Sequence, residues 1–443
     1  MSSSGAPVAG ADRLHGLDEL RGLAVLGILL LNILGFGLHS AGYFNPLIGA
    51  SETGFARFLD LGLWAAIDIT AEGAMRGLFS LLFGAGVVLF TTGESARAPG
   101  IHYRRQALLL VFGLLNGFVL LWTGDILVTY ALCGFLLYPL RHWRPGPLML
   151  TAALLAAFLA LLGAGGLYGL DEGRQAAAQE AAALMADPPV TIAPETAAAA
   201  DEWRDYVADL APSAAQAAEE LALRGDSAGQ VFTWNLAANL DVLLFSLPTY
   251  MLWDALLMML LGMAWMKLGI LSGARSRAFY ARMLAVSLPL GLAINGAEVW
   301  WRIAAGYAPE TLFTFFYPSY QAGRVAMAVA WMSGFFLLMA PGRPGMHLEG
   351  LRLRLRAVGR MALTNYLAHS LIALLLFTGV GLGLVGALSR STLYLVVLGI
   401  WAWQLWWSPR WLATHRFGPV EWLWRAATYG RRPQWKSRAR SGA

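Results

Sequence analysis

One cysteine, Cys133, stands in 443 residues, which excludes an intrachain disulfide and a thiolate metal site. Charge is sparse too: Asp, Glu, Lys and Arg make up 13% of the chain, against 58% hydrophobic residues. There is no Walker A loop and no His-x-x-x-His pair, so ATP-driven transport and zinc hydrolysis have no sequence support and no metal ligands are assigned. No glycine-rich dinucleotide fingerprint occurs, and the short alternating segments of a β-barrel are missing. Residues 1–12 are mostly Ser, Gly, Ala and Pro without a basic n-region. They read as a disordered N-terminus and not as a secretory signal.

What is present is a series of apolar runs, each near the ~20 residues that an α-helix needs to cross a hydrocarbon core. The reading is an all-α polytopic integral membrane protein, multi-pass in the plasma (inner) membrane, whose first partner is the lipid bilayer. Ten transmembrane helices are expected, at about 20–38, 75–93, 106–122, 125–140, 147–169, 251–271, 280–300, 323–340, 361–382 and 392–409. With both termini cytoplasmic, every basic cluster falls on one side: Arg97 to Arg105, Arg141 to Arg144, Lys267 to Arg282, Arg343 to Arg360, and the tail with Arg431, Arg438 and Arg440. The net charge of +5 is thus a topology signal, and no nucleic-acid partner is expected.

The chain divides accordingly. An N-terminal membrane half (13–169) is followed by an acidic, Ala-rich extracytoplasmic loop (170–236). Its twelve Asp and Glu against three Arg predict a pair of short, water-exposed helices. A C-terminal membrane half (237–430) and a basic tail (431–443) complete the chain. Residues 58–71, with Asp60 and Asp68 inside, read as an interfacial or re-entrant helix. The region 239–250, ending at Pro248, is expected at the outer surface.

The first span carries a polar stripe. At ~100° per residue, Asp18 and Arg21 lie about 60° apart and Asn32 returns to within ~20° of Arg21. Such a stripe must face other helices or a wet cavity, because an unpartnered polar atom in lipid is costly. It reads either as glue between helices or as one wall of a substrate site.

Five ordered blocks resemble the YeiB family: Leu17-Asp18-x-x-Arg21-Gly22 with Asn32; Leu78 to Gly86 (Leu-Phe-Ser-Leu-Leu-Phe-Gly-Ala-Gly); Gly124-Asp125-Ile126-Leu127; Gly359 to Tyr366 (Gly-Arg-Met-Ala-Leu-Thr-Asn-Tyr); and Phe417 to Arg425. The last two belong to its C-terminal half, called domain of unknown function 418. The resemblance implies a distant relation to the membrane acyltransferase superfamily. Within that superfamily, acyltransferase-3 proteins place a histidine after ten further residues from a leading basic residue. Here that stretch ends on Asn32, and Asn116 stands where the family often has histidine. His39, beyond the helix, is the imidazole left to compare with that of the glucosaminide acetyltransferases.

Two functions fit these residues. The first is an acyltransferase that moves an acyl group from a cytoplasmic donor such as acyl-CoA, bound as co-substrate and not as a permanent cofactor, to an envelope or exported small molecule. Arg21, Arg76 and Arg105, at span ends on one side of the bundle, would hold the donor phosphates, since a guanidinium fork suits phosphate. His39 and Asp125 would be the base or polar groups toward the acceptor. Asp125 reads equally as a helix cap. Asp18, Asn32 and Asn365 complete the substrate-binding set. His369, one turn from Asn365, reads as a packing histidine. The second function is a multi-pass transporter or flippase for a small molecule or lipid-linked substrate, with the same stripe lining its path. The block 417–425 reads as an amphipathic helix on the inner leaflet.

Overall fold

The computed structural model describes residues 10–92, 98–339 and 348–436. Arg97, Arg343, Arg438, Arg440 and the first nine residues lie outside the described residues. Those described are helical, with no strand beyond one isolated bridge between His415 and Lys436. The N-terminal part holds α1 (Gly10–Gly37), α2 (Gly54–Thr70), α3 (Ala74–Thr91), α4 (Pro99–Phe118), α5 (Leu127–Leu140) and α6 (Pro145–Met185). Then come α7 (Pro194–Leu210), α8 (Ala214–Gly225) and α9 (Ala228–Asp241). The remainder is α10 (Leu252–Lys267), α11 (Arg277–Ala304), α12 (Tyr320–Leu338), α13 (Glu349–Arg360), α14 (Ala362–Phe377), α15 (Arg390–Thr414) and α16 (Pro419–Tyr429).

Six of these helical stretches are long and apolar enough to cross a membrane, or seven if the bent pair α13–α14 is one span. The ten expected spans are not reached on that measure. α5 is apolar but only 14 residues long. α4 opens with His102, Arg104 and Arg105, and α15 is loaded with Trp401, Trp403, Trp406, Trp407 and Trp411.

Several boundaries move. The helix over 58–71 is not a separate element: α2 and α3 join into one apolar stretch, Gly54–Thr91, broken around Gly73. The helix of the fifth span does not stop at 169: α6, 41 residues long, runs on to Met185 inside the acidic segment. That segment holds α7, α8 and the start of α9, not a pair of helices. The region around Pro248 is not a separate segment: Ala228–Lys267 forms one 40-residue helical run. Its middle, Val242–Met251, is wound as π-helix, the local adjustment that accommodates a proline lacking its N–H. The basic stretch before the ninth span is itself a helix, α13, set at 80° to α14.

The two halves are one bundle. α3 lies on α10 and α1 on α13, and a single buried apolar cluster runs through all four. Glycines set both crossings. A Cβ on Gly84 would land on the Met259 carbonyl, and one on Gly262 would land on the Leu81 carbonyl. At the second crossing, Gly22 and Gly359 meet the Leu355 and Asp18 carbonyls in the same way. Without a hydrophobic drive in lipid, this backbone approach supplies the packing contacts.

α1 starts at the end of the bundle that carries Arg21, Arg105, Arg360 and Arg425, called here the basic end. It finishes against α8, at the acidic end. Arg224 of α8 donates to the carbonyls of Gly35, Phe36 and Leu38, supplying partners that the last turn of α1 cannot find in itself.

Candidate functional site

Among the described residues, a cavity opens into each end of the bundle. The basic-end cavity, of ≈ 210 Å³, is rimmed by Arg21, Arg105, Arg360 and Arg425. Its walls are aromatic and aliphatic, with Phe79, Phe83, Phe90 and Leu109 among them. Arg105 lies 4.0 Å from the Trp424 ring and 4.8 Å from that of Phe90, while the Trp424 indole donates to the Arg105 carbonyl at 3.0 Å. Arg105 feels the positive charge of Arg425 and Arg21. Of these four arginines, only Arg21 has a carboxylate partner among the described residues, Asp18 at 2.7 Å. The Glu421 carboxylate is already committed, accepting from the Thr364 amide at 2.9 Å and its hydroxyl at 2.5 Å. His102 and Gln106 line the same space with Nδ1 and Oε1 unpartnered among the described residues. This is a pocket of excess positive charge beside apolar rings, the chemistry that holds a phosphorylated ligand with an apolar or aromatic part.

All five sequence blocks converge here. Arg21, Phe79 to Gly86, Leu127, Gly359 to Tyr366 and Glu421 to Arg425 each contribute lining residues. α16, expected as an amphipathic helix, packs on α4 and α14 and closes one side of the cavity. Its Glu421 pairs with Thr364 of α14 instead of Arg425, one helical turn along.

The acidic-end cavity is larger, ≈ 800 Å³. Asn32 and Gly35 of α1, Arg76 of α3, Leu161 to Gly166 of α6, the π-wound turns and Phe313 to Phe316 enclose it. Its polar side rests on a buried charge network. Arg76 lies 3.4 Å from Asp254, which also holds Arg324 at 2.5 Å and accepts from Gln321 at 3.1 Å. Tyr320 accepts from Arg76 at 3.1 Å and donates to Glu72 at 3.2 Å. Two guanidinium groups thus face two carboxylates, an arrangement that satisfies charge at a depth where unpaired ions are prohibitive.

A thin wall separates the cavities. Ile126 lines the acidic-end cavity and the next residue, Leu127, lines the basic-end one. The Tyr366 hydroxyl, facing the basic end, accepts from the Ile126 amide at 3.2 Å. Beside it, the Tyr130 hydroxyl lies 2.6 Å from Ser80 and donates to the Arg76 carbonyl at 3.3 Å. Tyr130 faces one cavity while the Arg76 side chain faces the other.

The residues singled out from sequence distribute as follows. Arg21 and Arg105 share the basic-end cavity; Arg76 does not join them, because α3 begins at the acidic end. Asn32 lines the acidic-end cavity, and its Nδ2 has no hydrogen-bond partner among the described residues. Asp18 is the partner of Arg21. Asp125 is buried behind the wall, capping α5 through the Val128 amide at 2.9 Å and accepting from Asn116 at 2.8 Å. His39 accepts from the Ala41 amide at 3.1 Å and reaches Glu220 of α8 at 3.0 Å, so both ring nitrogens are engaged. Asn365 braces the α13–α14 bend through the Val358 carbonyl and Ser408, each at 3.2 Å. His369 bonds Gln404 at 3.1 Å, which in turn donates to the Asn365 carbonyl at 3.0 Å. That is a packing histidine.

Sequence reasoning missed Glu72, Tyr320 and Arg324, and did not single out Tyr366. Glu72 stands four residues before Arg76, a spacing that could have flagged it. Arg324, a cation well inside an apolar helix, was a second signal.

A family profile described as "Protein of unknown function (DUF418)" matches residues 265–431. The chain is similar to the uncharacterized protein YeiB of Escherichia coli (strain K12), with 31% identity over 93% of this chain and 95% of that protein. It is also similar to the uncharacterized protein YxaH of Bacillus subtilis (strain 168), with 28% identity over 96% and 97%. An uncharacterized 39.9 kDa protein of Bacillus acidopullulyticus shows 25% identity over 96% of both chains. No solved structure matches.

Proposed function

The chain belongs to the YeiB family, and from its two cavities we propose that it is a plasma-membrane acyltransferase, taking an acyl group from acyl-CoA at the basic end to an acceptor at the acidic end. The observation that carries this reading is the back-to-back placement of a cationic pocket and an apolar one across a wall of single residues, Ile126 and Leu127. By the positive-inside rule the basic end faces the cytoplasm, where acyl-CoA is made.

In this reading Arg105, Arg360 and Arg425 hold the donor phosphates with Arg21, and Trp424 and Phe90 pack against its apolar parts. The acceptor hydroxyl or amine attacks the thioester carbonyl. The C–S bond breaks, a C–O or C–N bond forms, and the proton lost by the acceptor ends on the coenzyme thiol. Tyr366 accepts from the Ile126 amide and shares its O–H with the Asp125 carboxylate, and in the transition state that O–H would turn to the developing oxyanion. Asp125 and His39 act as positioning residues, the first holding the wall segment at the start of α5 and the second holding α8 over the end of α1.

The test is the thermal midpoint of the detergent-purified protein with acetyl-CoA, longer acyl-CoAs and free coenzyme A, repeated with Arg21→Ala and Arg105→Ala. A ligand that binds the folded state raises the midpoint by mass action. A dose-dependent rise that both variants lose supports the reading. A folded protein with no response to any donor moves the assignment to transport across the same wall.

A further inference from the structure

We propose that the acidic-end cavity takes its acceptor from within the bilayer, and that this acceptor is an amphiphile with a neutral, hydroxyl-bearing head. The hydroxyl rests on the acyltransferase reading; the lateral route does not.

The cavity reaches the lipid-facing surface. Leu161 and Leu162 of α6 line it, yet they are 73% and 42% exposed. Leu161 lies sixteen residues into α6, ~24 Å from its start at ~1.5 Å per residue, within a ~30 Å hydrocarbon core. About two turns further on, the exposed Tyr168 and then Asp171 and Arg174 mark the interface. The opposite lip is the π-wound stretch, where Leu244 and Phe245 are also exposed. A mouth at that depth is open to lipid chains.

Inside, the apolar lining ends at polar groups beside the wall: Asn32, whose Nδ2 lacks a partner among the described residues, and Arg76, whose Nε lacks one as well. Both ask for an oxygen acceptor. Arg76 and Arg324 are already balanced by Asp254 and Glu72, so a further anion would upset that balance while a neutral polyol head would not. Its chain would stay in the mouth between α6 and the π-wound turns, and its head would sit against the wall.

Gly165 provides a clean test. It lines the cavity, and a Cβ added there meets nothing within 4 Å, so Gly165→Trp fills the mouth without forcing the backbone. Gly296→Trp on α11, equally unobstructed and away from both cavities, is the control. Native mass spectrometry of the full chain would be run with dioleoylglycerol, dioleoylphosphatidic acid and free glycerol as probes, and acyl-CoA binding would be measured on the same samples. The expected result is a dioleoylglycerol adduct that falls at least ~10-fold in Gly165→Trp, about 1.4 kcal/mol, and persists in Gly296→Trp. Binding of glycerol alone, or an adduct indifferent to Gly165→Trp, overturns the lateral route. Preference for the phosphatidic acid overturns the neutral head. A Gly165→Trp-sensitive lipid adduct without acyl-CoA binding supports the route and counts only against the acyltransferase.

Discussion

The two cavities differ in size, in charge and in how their walls are coded. The basic-end cavity is small and cationic, and every sequence block of the family resemblance reaches it. The acidic-end cavity is nearly four times larger, at ≈ 800 against ≈ 210 Å³, and mostly apolar. Its walls come largely from stretches without a motif: Leu161 to Gly166, the π-wound turns and Phe313 to Phe316. The contrast suits a transferase whose donor demands fixed cations while its acceptor is recognised chiefly by shape and apolar contact. Charge reads as a motif because few side chains can supply it; apolar shape can be built from many sequences.

The strongest way to break the comparison is to plug one side at a time. Gly86 lines the basic-end cavity, and a Cβ there meets open space. Gly86→Trp should abolish acyl-CoA binding in a calorimetric titration and leave the lipid adduct intact. Gly165→Trp should do the reverse. If both variants lose both ligands, the wall does not separate two sites.

Removing charge gives the next largest effect. Arg105→Gln, which keeps much of the bulk but not the cation, should weaken coenzyme A binding ~10- to 100-fold, the value of a hydrogen bond to a charged group at about 1.5–3 kcal/mol. Arg76→Gln should leave that binding unchanged, since its side chain belongs to the other cavity. Isothermal titration of both variants reads this directly.

The wall itself is tested by Tyr366→Phe. Loss of an oxyanion donor should lower turnover by ~10²-fold, toward the low end of measured donor removals. Binding of acyl-CoA should stay near wild type, because the ring remains. A proportional loss in binding would make Tyr366 a wall brace and no more.

The smallest effect concerns the segment that covers the acidic end. Burial by itself would raise the Glu220 pKa. Its hydrogen bond with His39, the charge of Arg224 and the Ser40 hydroxyl outweigh burial and hold it at about 2, below the usual 4.5. A carboxylate depressed on folding stabilises above its unfolded pKa and loses that contribution as pH falls through its folded one. The protection of α8 amides, taken relative to the exchange rate of an unstructured chain at each pH, should therefore be full above pH 4.5 and fall progressively toward pH 2. Glu220→Gln should flatten that dependence.

Much of this architecture was legible in the chain. Apolar run length marks the helical membrane class, and the polar stripe on α1 does end in cavities, with Arg21 in one and Asn32 in the other. Span counting was less secure. Runs such as 106–122 are cut short by a turn with Leu121 at positive φ, and helices such as α6 continue past the apolar stretch into water. Partners far apart in sequence were out of reach. Asp254 and Arg324 are separated by 70 positions, and no local spacing announces that they pair. Arg76 was grouped with the wrong arginines for the same reason: its type was right, but its depth depended on which end of the bundle α3 starts from.

Vesicles reconstituted with the protein and given acyl-CoA at the basic end test the central claim most directly, with one label in the acyl group and another in the adenine ring. The account predicts that the acyl label passes into the acceptor fraction while the adenine label stays on the side where it was supplied. Both labels crossing together, or the acyl label remaining on the coenzyme, would contradict it.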